Sequence, residues 1–152
     1  LLSHNDLSRR YDDTTMSHVM MSIDWSSVAT DTPYSQEAFA FVQEGLAYTS
    51  AIFKGAESAY ELDEFDRHVT GQQLCMGLRD YAIEKYGYLA HLVLKHWGIH
   101  KTDDFGTIVF RMVDCELLRT SPQDCEDDFR NVFNFEEAFH NNELSCTIGS
   151  NL

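Results

Sequence analysis

Between residues 68 and 118, glycines and capping threonines recur so closely that only short helices fit between them. Thr70 is followed three residues later by Gln73, a capping-box pair in which each side chain satisfies the other's free backbone N–H. Leu74, Leu78, Tyr81 and Ala82 then recur at helical steps, and Gly87 supplies the left-handed residue on which a helix can end. A short helix follows, with Leu89, Leu92, Val93 and Trp97 as its expected inward side and Gly98 as its stop. Thr102 is the expected cap of the next helix, with Asp103 and Asp104 in the first turn, where the helix dipole favours them. Phe105, Ile108, Val109, Met112, Val113 and Leu117 make its apolar stripe.

A longer helix is predicted upstream. It starts near Thr32-Pro33, with Thr32 as cap and Pro33 at the first helical position, where a missing N–H costs nothing. Phe39, Val42, Leu46 and Phe53 give one stripe, widened by Phe41, Tyr48 and Ile52, and the helix stops near Gly55. Residues 56–67 form an acidic connection. Residues 1–31 are polar and aperiodic and read as an extended N-terminal arm, with residues 19–25 as its apolar part. Beyond Leu118, Ser121-Pro122 marks a turn. Two readings then stay open: residues 129–135 as a strand of a small C-terminal β-hairpin, or Asn134 and Glu137 capping a last short helix through His140. Residues 141–152 read as a loose tail. The expected fold is mainly α: one domain of four helices over residues 32–140, winged-helix-like, with the hairpin as one alternative.

Charge narrows the function. With 11 basic and 25 acidic residues, the formal net charge is −14, which repels phosphate backbones and anionic lipid. Nucleic acid and membrane are therefore not the expected partners, and the longest apolar stretches are far too short to span a bilayer. No charged-then-apolar leader pattern opens the chain, and Met16 is a candidate alternative start. Cys75, Cys115, Cys125 and Cys146 match no zinc spacing and read as buried free thiols, which suits a reducing cytoplasm.

Several short motifs occur in a distinctive order: Arg67-His68-Val69-Thr70-Gly71-Gln72, His96-Trp97-Gly98-Ile99, Thr102-Asp103-Asp104-Phe105-Gly106 and Asp128-Phe129-Arg130-Asn131-Val132-Phe133. In these the chain resembles an uncharacterised small acidic protein family of planctomycetes and verrucomicrobia, over a stretch reaching back to about Tyr34. That resemblance implies one cooperative domain and carries no activity, cofactor or site. The chain departs from it at Asp114-Cys115-Glu116, where a small residue and Gly are expected, so a tight helix end is not expected there.

Three constellations bear on function. The last two of the clustered helices have helix-turn-helix dimensions, but the second carries Asp103, Asp104, Asp114 and Glu116 against a lone Arg111, a poor face for reading bases. His68, His91, His96 and His100, with Asp103, offer the alternative of a metal-binding protein or a metal-dependent enzyme using residues around 91–104. His96 and His100 have the four-residue spacing of paired helix ligands, yet Gly98 between them should break that face. The run Asp124, Glu126, Asp127, Asp128 lacks the spacing of a calcium loop and suits a basic protein partner better. No nucleophile elbow, P-loop or dinucleotide motif is present, so no catalytic residue and no cofactor is assigned. The expectation is a non-enzymatic, cytoplasmic interaction or adaptor protein. Its surface would comprise Asp103, Asp104, Asp124, Glu126, Asp127 and Asp128, and a homodimer through residues 19–25 is a further possibility.

Overall fold

The computed structural model describes residues 1–3, 23–56 and 69–139. They form one mainly helical body in the order β1 (Leu2–Ser3), α1 (Trp25–Ala29), α2 (Gln36–Ala56), α3 (Gly71–Tyr86), α4 (Ala90–His96), α5 (Thr102–Asp114) and β2 (Leu118–Arg119). A 3₁₀ turn, Gly87–Leu89, links α3 to α4, and another spans Glu126–Phe129. Residues 135–139 are again helical.

The helices start and stop for local reasons. At α3, Gln73 N–H donates to Thr70 Oγ1 at 3.1 Å and Thr70 N–H donates to Gln73 Oε1 at 3.0 Å, so the predicted capping box is present. Gly87, at φ +58°, ends that helix. Thr32 does not cap α2: its hydroxyl donates to Ala29 O at 2.7 Å, closing the end of α1, and α2 begins only at Gln36. Thr102 does not cap α5 either; it is the first helical residue, fully buried, and its Oγ1 accepts from Val132 N–H at 3.0 Å.

Helices α4 and α5 end in the same way. Gly98 N–H donates to Lys95 O and Ile99 N–H to Leu94 O, at 3.1 and 2.9 Å. Glu116 N–H donates to Val113 O and Leu117 N–H to Met112 O, both at 2.9 Å. Each pair is a Schellman motif built on one left-handed residue. Gly98 takes that conformation without strain at φ +92°, whereas Glu116 takes it at φ +61° despite its Cβ. The tight helix end is therefore kept where the sequence made it unexpected, because the 6→1 and 5→2 bonds and the seating of Leu117 against the core hold Glu116 in place.

Helices α2 and α3 run antiparallel and touch through glycine. Gly45 faces Leu78, and Gly77 faces Thr49, with no room for a Cβ at either position. Phe39, Phe41, Val42 and Leu46 from α2 meet Leu74, Cys75, Leu78 and Ala82 from α3, all buried. Phe105, Ile108, Val109 and Met112 of α5, each fully buried, close the same core. Phe129 is wedged between Gly71 and Gly106, where its ring takes the space a Cβ would need on either helix.

Residues 119–135 hold no β-hairpin. The one ladder among the described residues pairs Leu2 with Arg119 and Ser3 with Leu118, antiparallel. Phe129 is drawn into the core, and Glu137 N–H donates to Asn134 Oδ1 at 3.2 Å, so the capped-helix alternative is the one adopted. Residues 23–31, included in the expected arm, pack on the body: Val28 is buried and its carbonyl accepts from Arg111 Nε at 3.0 Å. Residues 4–22, residues 57–68, which hold all but the first residue of the expected acidic connection, and residues 140–152, which include the expected tail, lie outside the described residues.

The two Schellman ends make a paired prediction. Glu116→Gly should stabilise the fold by about 1 kcal/mol by removing left-handed strain. Gly98→Ala should destabilise it by about 1–3 kcal/mol, since its Cβ would be strained and would also meet the Pro33 carbonyl at 2.6 Å. Thermal or urea unfolding of both variants checks the opposite signs.

Candidate interaction surface

The N-terminal end of α5 is where the acidic residues gather. Asp104 accepts from the Tyr34 hydroxyl at 2.6 Å through one oxygen, and from the backbone N–H groups of His100 and Lys101 at 2.8 and 3.2 Å through the other. Asp103 accepts from Asn131 N–H at 3.1 Å, which fastens the segment after the second 3₁₀ turn to the same helix end. Asn131 itself takes a positive φ of 49° to reach it. The Tyr34 hydroxyl is pushed well above its ordinary value by burial, then by the bond to Asp104, with the charges of Asp104 and Glu126 adding to both.

Most of the acidic side chains expected at a docking surface turn back on their own backbone. Asp128 accepts from Cys125 N–H at 3.1 Å, and Asp124 accepts from Ser121 N–H at 2.9 Å. Asp124 also meets the amino group of Leu1 at 3.2 Å; that group is buried, donates to Val69 O at 2.7 Å, and has its pKa lowered chiefly by desolvation. Asp103, Asp104, Asp124 and Asp128 are thus half-buried, while Glu126 and Asp127 stand open to solvent. Asp127 pairs with Arg130 at 3.1 Å, but both side chains are 71% exposed, so the pair contributes little.

Among the described residues, His91, His96 and His100 form no metal-binding group. His91 lies against the rings of Phe139 and Phe135, at centroid distances of 5.7 and 5.9 Å. His96 is exposed on α4, and His100 is exposed beyond the left-handed Gly98, which turns it off the helix face of His96. His68 lies outside the described residues. Among the described residues, no three His, Cys, Asp or Glu side chains form a group that could hold a metal ion. Nor is any helix there long and apolar enough to cross a membrane.

The thiols differ from one another. Cys75 is fully buried, and desolvation raises its pKa to about 12. Cys115 is half-buried at the end of α5, and Cys125 is exposed rather than buried, because the turn that starts at Glu126 faces outward there. Of the apolar part of the expected arm, Trp25 opens α1 and is half-buried against the core, while residues 19–22 lie outside the described residues.

Tyr34 and Asn131 are central to this end of the molecule, and sequence periodicity did not find them. Both act across long sequence separations, 70 residues for Tyr34 and Asp104, so no local pattern signals them. Leu89 and Leu92, expected inward, point outward at 45% and 63% exposure, while Ala90 and Leu94 take the buried positions. The 3₁₀ turn before α4 shifts the rotational phase of the helix and so changes which side faces the core. Comparison with protein-family models, curated proteins and solved structures returned no match to this chain.

Asp104→Ala should cost about 2–3 kcal/mol, because two backbone donors and a half-buried hydroxyl lose their acceptor. The Tyr34 bond also sets a pH dependence. A pKa raised above the ordinary 10.0 means the folded state holds the proton more tightly, so this contribution is complete below about pH 10 and is lost as pH rises beyond it. Tyr34→Phe should flatten that alkaline loss in urea titrations between pH 8 and about 11. Brief alkylation of the native protein, followed by peptide mapping, should label Cys125 and spare Cys75 until the chain unfolds.

Proposed function

We propose that this chain is a non-enzymatic protein-interaction or adaptor module that offers an acidic surface to a basic protein partner. One observation carries this reading: Glu126 and Asp127 project from a turn whose flanking carboxylates, Asp124 and Asp128, are tied to backbone N–H groups. Open charges on a tied frame lose little conformational freedom on binding, which favours recognition over solubility as their use. The net charge of −14 adds steering toward a basic partner and weighs against nucleic acid and anionic lipid. Arg111, the one basic residue of α5, is turned inward to the Val28 carbonyl, and Thr107 and Asp114 are what the helix leaves outward. That supports a protein rather than a DNA partner even for a helix-turn-helix-like arrangement. Free thiols and the acidic composition fit a cytoplasmic setting.

Capture at low salt from lysate tests the proposal, with wild type beside the double variant Glu126→Lys, Asp127→Lys. A stoichiometric basic partner should be retained by wild type, released as salt rises, and weakened on the order of tenfold by the double reversal. No stoichiometric partner at low salt, or retention indifferent to the reversal, would overturn it.

A further inference from the structure

The outward face of α4 is apolar where a chain of this charge has least reason to leave it so. Tyr88, Leu89 and Leu92 are 57%, 45% and 63% exposed, and Leu92 is the most exposed large apolar side chain of the described residues. Tyr88 and Leu89 belong to the 3₁₀ turn that leads into α4, and Leu92 follows in the first turn of that helix. Helical spacing from Leu92 continues the stripe to Lys95 and His96, three and four residues on, both exposed. The face is thus apolar at one end and carries the Lys95 ammonium at the other.

Its charge is the reverse of the rest of the chain. From Lys85 to Lys101 the sequence has three Lys, three His and no carboxylate, within a chain of net charge −14. Neighbouring elements supply some carboxylates: Lys85 pairs with Glu44 at 2.9 Å, Glu37 of α2 lies within electrostatic reach of His96, and Glu136 and Glu137 stand exposed on the helical stretch that covers His91. Lys95 makes no ion pair among the described residues.

We infer that this face of α4 docks an acidic amphipathic helix of another protein, whose apolar side covers Tyr88, Leu89 and Leu92 and whose carboxylates meet Lys95 and His96. Apolar anchors flanked by one charge type suit a helical segment of opposite charge. A second copy of this chain fits less well. Two chains of −14 repel each other, which disfavours bringing two copies together. This site is separate from the acidic surface of Glu126 and Asp127 and takes a partner of opposite sign, so either can fail without the other.

Two labelled synthetic helices test it by fluorescence anisotropy. Both carry Leu at i, i+3, i+4 and i+7; one has Glu at the other positions and its counterpart has Lys. The Leu/Glu helix should bind at least about tenfold more tightly than the Leu/Lys helix. Leu92→Glu should weaken its binding by at least about tenfold and Lys95→Glu severalfold, with far-ultraviolet circular dichroism unchanged because both side chains are exposed. Glu126→Lys with Asp127→Lys should leave this binding unaltered. Absence of Leu/Glu binding, equal binding of the two helices, or indifference to Leu92→Glu would overturn the inference. So would a dimer in solution that Leu92→Glu dissociates, which would assign the face to a second copy. Leu92-dependent binding to phosphatidylserine vesicles would overturn it too, by assigning the face to a membrane.

Discussion

Asp104 joins three parts of the chain that sequence keeps apart. Its carboxylate satisfies the backbone N–H groups of His100 and Lys101 at the start of α5 and takes the hydroxyl of Tyr34 from the approach to α2. An unsatisfied helix start next to a buried face would cost more than any exposed ion pair in this protein contributes. With that end held, Thr102 and Asp103 bind the backbone of Val132 and Asn131, and the segment carrying Phe129 is laid across α3 and α5. Phe129 then finds room because Gly71 and Gly106 lack side chains. Removing the carboxylate loosens an arrangement in which each later contact presumes the earlier one.

The same reach-back device explains why an acidic chain does not display all its acids. Gln73 at Thr70, Asp104 at Lys101, Asp124 at Ser121 and Asp128 at Cys125 each accept from the N–H three residues earlier. Three of these four are carboxylates, and each spends its charge on a backbone donor at the start of a turn or helix, where the dipole also favours it. Of the six carboxylates expected at the docking surface, Glu126 and Asp127 are therefore the two left open. The exposed apolar side chains Tyr88, Leu89 and Leu92, with Lys95 beside them, make a second surface of different character.

Much of the fold was legible locally. The capping box at Thr70 and Gln73, the stops at Gly87 and Gly98, and the stripe through Phe105, Ile108, Val109 and Met112 are encoded within a few residues of where they act. Thr32 and Thr102 misled, because each hydroxyl serves a partner outside the helix it was expected to cap: Ala29 O for Thr32 and Val132 N–H for Thr102. Glu116 misled in the opposite direction, since a pattern that asks for glycine at a left-handed position cannot weigh the bonds that hold another residue there. For the candidate site, composition showed that acids were plentiful, but it could not separate a capping Asp128 from an open Asp127.

The sequence by itself determined the helical class, the spacing of three of the helices and the net charge, because hydrophobic period, caps and glycine stops act over one or two turns. Tertiary structure decided the facing of α4, the seat of Phe129, the pairing of Tyr34 with Asp104, and which carboxylates stay open. Each of these depends on groups distant in sequence competing for the same space or the same donor. Periodicity placed Leu89 and Leu92 on the inward side of a short helix; the packed body turns them outward, because the 3₁₀ turn before α4 sets which side meets the core.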